Sequence, residues 1–213
     1  MIYRLTNEYR TQRNNRIAPT ETCQVTATIM ALEASGIGFE CPDGVQPEDY
    51  LAGILDAPEA HEKLKREFPT LKNRAPREVH SILSWAINER LVRSKVSLFT
   101  TRASLQELLF RIARYRTASL VSGRFTPDGH IAALIGFESD QIDLADAGSP
   151  ATVEIGAVRR LFIDDPWGDW TTGYTDRNGD DVSIPLEVFN SLTREYGQSR
   201  KKWAHLFSRD GIF

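Results

Sequence analysis

Cys23, His130 and Asp165 are three residues whose types could together carry out acyl transfer. A cysteine thiolate attacks carbonyl carbons, and a histidine can take the thiol proton and later deliver it to a leaving group. A carboxylate bound to that histidine holds the ring in one orientation and tautomer. If the fold brings the three side chains together, they form the machinery of a cysteine hydrolase.

The context of Cys23 favours a nucleophile at the start of a helix. Apolar residues recur at helical spacing from Val25 to Leu32, which predicts a helix with one apolar face. Thr20 or Thr22 can cap its start, and Gly36 supplies its end. Free backbone N–H groups and the helix dipole at that start stabilise a thiolate. By position alone, a small buried side chain in the first turn fits equally well.

His130 follows Gly129 and opens an apolar strand that runs to Phe137. A histidine at this point can be held at a sheet edge with its ring facing a cleft. Taken alone, a surface histidine at the start of a strand is the simpler interpretation. The other histidines that could serve as the base are His61, His80 and His205.

Asp165 ends another predicted strand, directly before Pro166 and Trp167. Pro166 fixes the backbone after the carboxylate, and Trp167 could cover a histidine–aspartate hydrogen bond from water. An Asp-Pro turn with an aromatic packing contact is the plainer alternative. Asp164 and Asp146 compete for the same orienting role.

The order of predicted elements, helices first and antiparallel strands after, indicates an α+β fold. Helices are expected over Pro47–Leu55 and Ala60–Phe68, after Pro76, and after Ser104, where Glu107 completes a capping-box pattern. Strands are expected over Ala118–Val121, His130–Phe137, Gln141–Ala145 and Val158–Ile163, with a hairpin turn at Asn178-Gly179. We expect one domain, 1–213, with a helical part over about 20–116 and a sheet part over about 117–207.

Composition narrows the classes of function. The 213 residues carry a formal net charge of −3, which gives no general attraction to nucleic acid or anionic membranes. No apolar run reaches the length of a membrane helix, and no secretory signal is visible, so a cytoplasmic location is expected unless another system releases the protein. The two cysteines, Cys23 and Cys41, predict neither a disulfide scaffold nor a zinc site.

Several segments resemble one branch of the papain-like cysteine peptidases, the relatives of the double-glycine bacteriocin-leader peptidases of bacteria and phages. The segments are Gln12-Arg13-Asn14-Asn15, Thr22-Cys23-Gln24-Val25-Thr26, Gly123 to Ile131 with its Gly-His pair, Asp165-Pro166-Trp167-Gly168-Asp169-Trp170 followed by Gly173-Tyr174, and Trp203-Ala204-His205. They occur in the family's order and cover roughly 12–36 and 118–207. The chain departs from the family pattern at Gln24 and Ala27, and 142–160 looks like an insertion.

The resemblance implies a papain-like fold, in which a helical lobe with an N-terminal nucleophile helix packs on an antiparallel β-sheet lobe. It assigns Cys23 as nucleophile, His130 as base and Asp165 as orienting acid. The amide of Gln12 and the Cys23 backbone N–H would form the oxyanion hole. Neither a cofactor nor a metal is implied, and the expected substrate is the amide bond of a protein or of a cell-wall peptide.

Two other functions remain open at this stage. The same triad could serve an amidase or acyltransferase that acts on a non-protein amide. Gln24 and the stretch 142–160 also fit a non-catalytic binding protein that kept the fold, since a fold does not fix a function. The sequence indicates no oligomeric state and no role for Cys41.

Overall fold

The computed structural model describes residues 1–69, 76–193 and 201–213. Within these ranges the chain forms six α-helices and seven β-strands, which confirms the α+β class. The helices are α1 Cys23–Ala34, α2 Pro47–Asp56, α3 Pro58–Glu67, α4 Pro76–Trp85, α5 Leu105–Phe110 and α6 Leu186–Leu192. The strands are β1 Ile2–Arg4, β2 Ser97–Ala103, β3 Ser119–Gly123, β4 His130–Ser139, β5 Val158–Asp164, β6 Val182–Pro185 and β7 Lys202–Phe207. None of the described helices combines the length and apolarity that crossing a bilayer would need.

The strands form one antiparallel sheet in the order β2-β7-β3-β4-β5-β6, with β1 added against β4. The first half of β4 pairs with β3, from His130 opposite Gly123 to Leu134 opposite Ser119. Its second half meets β1, where a Cβ on Gly136 would lie only 2.8 Å from the Tyr3 carbonyl oxygen. A glycine is therefore required for β1 to approach the sheet this closely.

Helix α1 is the central helix of the fold, and it packs against β4 and β3. Every residue from Val25 to Leu32 is buried, so the prediction of a single apolar face is wrong. Two threonines in this stretch satisfy their hydroxyls on backbone carbonyls, Thr26 on Thr22 and Thr28 on Gln24, at 3.3 and 2.7 Å. A helix covered on all sides fixes the position of its first residue, Cys23, relative to the sheet.

The predicted helices after Pro47, before Phe68, after Pro76 and after Ser104 are all present. Gly36, at φ +64°, ends α1 as expected, and the Ser104 hydroxyl accepts a hydrogen bond from the Glu107 N–H at 3.1 Å. Turns of π-helix extend α4 and α5 through Ala86–Leu91 and Arg111–Tyr115.

The sheet is not confined to the part expected over about 117–207, because β1 and β2 precede it. The strand expected over Gln141–Ala145 is absent, and this segment leads instead into a 3₁₀ turn, Leu144–Asp146. Asp143 there takes a left-handed φ of 60°, which breaks an extended strand. The Gln141 side chain binds the Thr152 carbonyl and the Glu154 N–H, both at 2.8 Å, and so closes 142–152 into a loop.

Candidate active site

Cys23 is the first residue of α1 and is partly exposed. Thr22 occupies the N-cap position but makes no capping hydrogen bond, and its hydroxyl donates to the Ala18 carbonyl at 3.1 Å. The amide of buried Asn15 holds this turn by donating to the Thr22 and Thr26 hydroxyls at 2.9 and 3.0 Å. Because no side chain caps the helix, its first N–H groups, including that of Cys23, stay available to an anion.

His130 is the first residue of β4, and its side chain is almost fully buried. Gly129 before it has φ +87°, a conformation in which a residue with a Cβ would be strained. The His130 ring packs edge-to-face against the rings of Phe125 and Tyr174, at centroid distances of 6.4 and 6.5 Å. Strand pairing and these two aromatic contacts hold the imidazole in one place.

Asp165 directly follows β5 and is completely buried. Its Oδ1 lies 2.7 Å from His130 Nε2 and accepts a hydrogen bond from the Trp167 N–H at 2.9 Å. Its Oδ2 accepts a hydrogen bond from the Tyr174 hydroxyl at 3.1 Å. With partners on both oxygens, the carboxylate is fixed against the histidine ring.

These contacts change the acidity of His130. Burial opposes the charged ring, but hydrogen bonds with Asp165 and with Cys23 outweigh it and raise the pKa of His130 to about 10. The ring therefore keeps its proton through neutral pH and loses it only as the pH rises toward 10. Since Nε2 is bound to Asp165, Nδ1 is the ring nitrogen left to face the thiol.

Gln12 lies in a 3₁₀ turn, Gln12–Asn14, and is buried. Its backbone N–H and the Thr11 hydroxyl both donate to the Pro166 carbonyl, at 3.0 and 3.1 Å. Arg13 adds a hydrogen bond to the Trp167 carbonyl at 2.8 Å and stacks on the Trp167 ring at 3.7 Å. The loop that carries Gln12 is thus attached to the segment that follows Asp165.

The Gln12 side chain has one fixed contact and one unpaired atom. Its Nε2 donates to the Pro19 carbonyl at 2.8 Å, which sets the orientation of the amide. The second Nε2 hydrogen has no acceptor among the described residues, and the buried Oε1 has no hydrogen-bond partner. An amide in this state can donate to a ligand without breaking a contact of the fold.

The competing acids do not reach the histidine. Asp146, expected to end a strand, is exposed in the 3₁₀ turn instead. Asp164 is buried but binds the Asn7 amide at 2.8 Å and the Asp181 N–H at 3.0 Å, because consecutive residues of an extended chain point in opposite directions. Burial raises the pKa of Asp164 to about 7, and the Asn7 hydrogen bond offsets part of this effect.

The competing histidines lie elsewhere. His80 and His205 are buried against each other, with His80 Nδ1 2.8 Å from His205 Nε2. His61 is half-buried in α3 and lines a cavity beside the start of α1. Cys23 contributes to the raised pKa of His130 but not to the lowered pKa values of His80 and His205.

The sequence did not identify two tyrosines that contact Asp165. Tyr174 donates its hydroxyl to the carboxylate, and no residue was expected to do so. The Trp167 ring, which was expected to cover the His130–Asp165 hydrogen bond, stacks on Arg13. Tyr9 donates its hydroxyl to the Asp165 carbonyl at 2.9 Å, and burial raises the pKa of Tyr9 to about 12. The Gly173-Tyr174 pair that follows the Asp165-Pro166 segment was the sequence feature that could have identified Tyr174.

Cys41 offers a second thiol in a different setting. Both cysteines are free, and the Cys41 Sγ lies 3.2 Å from the Val45 carbonyl oxygen. Partial burial raises the pKa of Cys41. No histidine is paired with Cys41 among the described residues, so Cys41 is an internal reference for an ordinary thiol.

A cluster of three aspartates has the spacing of metal ligands. Carboxylate oxygens of Asp164, Asp180 and Asp181 lie within 4.8 Å of one another. Asp164 already has protein partners on both oxygens, and Arg4 forms an ion pair with Asp181. The cluster is therefore at least partly neutralised by the protein itself.

Comparisons of the chain with protein-family models, with curated protein sequences and with solved structures found no match.

Proposed function

We propose that this protein is a papain-like cysteine hydrolase that cleaves amide bonds, with Cys23 as nucleophile, His130 as base and Asp165 as orienting acid. The observation that carries this proposal is the 2.7 Å contact between His130 and buried Asp165, together with a helix-start cysteine close enough to raise the pKa of His130. The three side chains come from α1, β4 and the segment after β5. Their positions support the proposed roles without reference to any relative.

In the first half of the reaction, the proton of Cys23 already resides on His130 Nδ1, and the thiolate attacks the substrate carbonyl carbon. The C–S bond forms as the carbonyl π electrons move to oxygen. Collapse of this tetrahedral species breaks the C–N bond, and the imidazolium returns the proton to the leaving amine. In the second half, His130 deprotonates a water that attacks the thioester, and the acid and the free thiol are released.

The raised pKa of His130 supports this sequence of steps. An imidazolium that persists at neutral pH stabilises the thiolate beside it, which is the nucleophilic form of the residue. The bound Asp165 carboxylate keeps Nε2 protonated and therefore directs Nδ1 toward sulfur.

The developing oxyanion has two candidate donors. The Cys23 N–H belongs to an uncapped helix start, and the Gln12 amide has one unused hydrogen. Preorganised donors of this kind commonly account for roughly 10²–10³ in rate each. Gln12→Ala is expected to slow turnover by about that factor while leaving the thiol reactive, because alkylation of sulfur forms no oxyanion.

Alkylation of the two thiols between about pH 5 and 8 tests the proposal without a known substrate. We expect iodoacetamide to modify Cys23 readily at pH 6 but Cys41 only slowly even at pH 8, because the raised pKa of Cys41 lies above the ordinary thiol range near about 8.5. Peptide mapping by mass spectrometry gives both rates in one sample. Equal pH profiles for the two cysteines, or a Cys23 profile unchanged by His130→Gln, would contradict the proposal.

If Cys23 is alkylated as expected, the next experiment searches for the substrate. Incubation with peptide mixtures and with cell-wall peptide fragments is expected to release new amino termini, and Cys23→Ser is the matched inactive control. Products without a new peptide amino terminus would favour an amidase or acyltransferase with the same triad.

A further inference from the structure

A cavity of about 90 Å³ opens beside the start of α1. Its walls are mainly aliphatic and come from the first turn of α1, from α2, from α3 and from α4. The apolar lining residues of the four helices are Val25, Ala52, Leu55, Ala60, Leu64 and Ile82, and Ile17 and Ala18 complete the apolar wall before α1. A single water needs only about 10–15 Å³ of such space, so the cavity has room for an aliphatic side chain.

This cavity adjoins the nucleophile. Thr22 and Gln24, the residues on either side of Cys23, both line it. The Gln24 side chain also reaches the thiol, with its Oε1 3.7 Å from the Cys23 Sγ. The Gln24 side chain therefore contacts the reacting sulfur and also lines the cavity, which places the cavity beside Cys23.

An acidic residue lies at the wall of the cavity. Glu21 lines the cavity and is exposed, and the lining contains neither lysine nor arginine among the described residues. A substrate whose aliphatic side chain enters the cavity would place its adjacent residue beside the Glu21 carboxylate, which favours a basic residue there.

We propose that this cavity binds an aliphatic side chain of the substrate, adjacent in the substrate to a lysine or arginine, and so selects the amide bond that Cys23 attacks. This inference rests on the proposed function and gives it a substrate class. Small to medium aliphatic side chains fit the space, whereas acidic and strongly polar side chains would lose their hydration against apolar walls without gaining partners.

The test uses short peptidyl halomethyl ketones, which alkylate a thiolate with loss of halide. Leucine, serine or aspartate is placed in turn at each of the first three positions from the reactive group, and the alkylation rate of Cys23 is measured. We expect the leucine reagents to react about 10- to 100-fold faster than the others at one position. Equal rates at every position would overturn the inference.

Two substitutions change the cavity in opposite directions. Ala60→Leu fills it and should abolish the leucine preference, whereas Ala145→Leu, at an exposed site remote from α3, is the matched control and should keep it. Leu64→Ala enlarges the cavity and should move the preference toward phenylalanine. A change of preference cannot arise from partial unfolding, so Leu64→Ala decides the question even if Ala60→Leu folds poorly.

A final experiment tests the contribution of the Glu21 charge. Lysine beside the preferred leucine should raise the rate about threefold or more at low salt, and Glu21→Gln should reduce that gain. If glutamate beside the preferred leucine gives the same alkylation rate as lysine, then the proposed substrate class no longer includes a basic neighbour.

Iodoacetamide separates the two proposals, because it carries no side chain for the cavity. If iodoacetamide does not modify Cys23 below pH 8, the hydrolase proposal fails. If iodoacetamide reacts as expected and the peptidyl reagents do not discriminate, only the cavity inference fails.

Discussion

The protein buries histidine in two places, and the chemistry of the two places is opposite. His130 is bound to Asp165 at 2.7 Å, and His80 is bound to His205 at 2.8 Å. The three rings expose at most 6% of their surface. Burial and hydrogen-bond length are therefore nearly matched between the two pairs.

The acidity of the rings differs because their partners differ. Burial is the largest influence on all three rings and disfavours the charged form. At His130, Asp165 and Cys23 more than compensate, and the pKa rises to about 10. At the other pair nothing compensates, so burial lowers the pKa of His80 to about 4 and that of His205 well below its usual value.

The surroundings of the second pair explain the missing compensation. His205 Nδ1 faces the Ser84 and Ser97 hydroxyls at 3.1 and 3.4 Å, and His80 stacks on Phe99. Hydroxyls and aromatic rings carry no negative charge, and no carboxylate affects either pKa among the described residues. Burial therefore keeps a histidine uncharged at neutral pH unless an anion is buried with it.

Removal of the Asp165 carboxylate should make His130 resemble His80, and this is the largest effect we expect. Asp165→Ala should lower the pKa of His130 from about 10 toward its ordinary value of 6.5, where only Cys23 still opposes burial, and slow alkylation of Cys23 at pH 6 by about 1,000-fold. Asp165→Asn keeps an acceptor for Nε2 but loses the charge, so we expect an intermediate loss. The pH profile of alkylation and histidine NMR titration measure both effects.

The Asn and Ala variants separate the hydrogen bond from the charge. If Asp165→Asn behaves like the unmodified protein, orientation by the hydrogen bond is sufficient and the charge is not needed. If even Asp165→Ala keeps the original pH profile, then the carboxylate does not control His130.

The candidate site was largely predictable from sequence because each of its parts has a local signal. Cys23 begins a periodic apolar stretch, His130 opens an apolar strand, and Asp165 precedes a proline. Such signals come from one segment of chain each. What the sequence could not provide was the contact itself, which depends on the packing of α1 against β4 and on the register of β4 with β5.

The second pair was not predictable, because it has no local signal. His80 and His205 meet only because α4 packs on β2, the neighbour of β7, and both stood as separate candidates for the catalytic base. Strand β2 was missed for a related reason. It is an edge strand with polar residues and an irregular register against β7, so its pattern is not that of a buried strand.

The second pair should make the fold sensitive to acid. Its histidines have lower pKa values folded than unfolded, so the unfolded chain takes up protons first as the pH falls below about 6.5. Stability is therefore lost between about pH 6.5 and 4, by about 3 kcal/mol for His80 alone. Urea unfolding at pH 7, 5.5 and 4.5 measures this loss.

Replacement of one partner identifies the source of the pH dependence. His80→Gln should flatten the dependence of stability on pH between 6.5 and 4 relative to the unmodified protein. The two proteins carry the same carboxylates, so the difference between them reports the histidine pair. The same slope in His80→Gln and the unmodified protein would show that the pair does not set acid sensitivity.

The smallest effect concerns how Asp165 itself is held, and two tyrosines provide a matched test. Tyr174 donates to the carboxylate, whereas Tyr9 donates to the backbone carbonyl of the same residue. Tyr174→Phe keeps the ring against His130 and leaves Asp165 bound to His130 and the Trp167 N–H, so we expect only a threefold to tenfold slower alkylation of Cys23 at pH 6. Tyr9→Phe should reduce stability by roughly 1 kcal/mol without a comparable loss of reactivity. If Tyr174→Phe is as damaging as Asp165→Ala, then the carboxylate acts on His130 only while the tyrosine holds it, and the contrast between the two histidine pairs depends on that hydroxyl as well as on the anion.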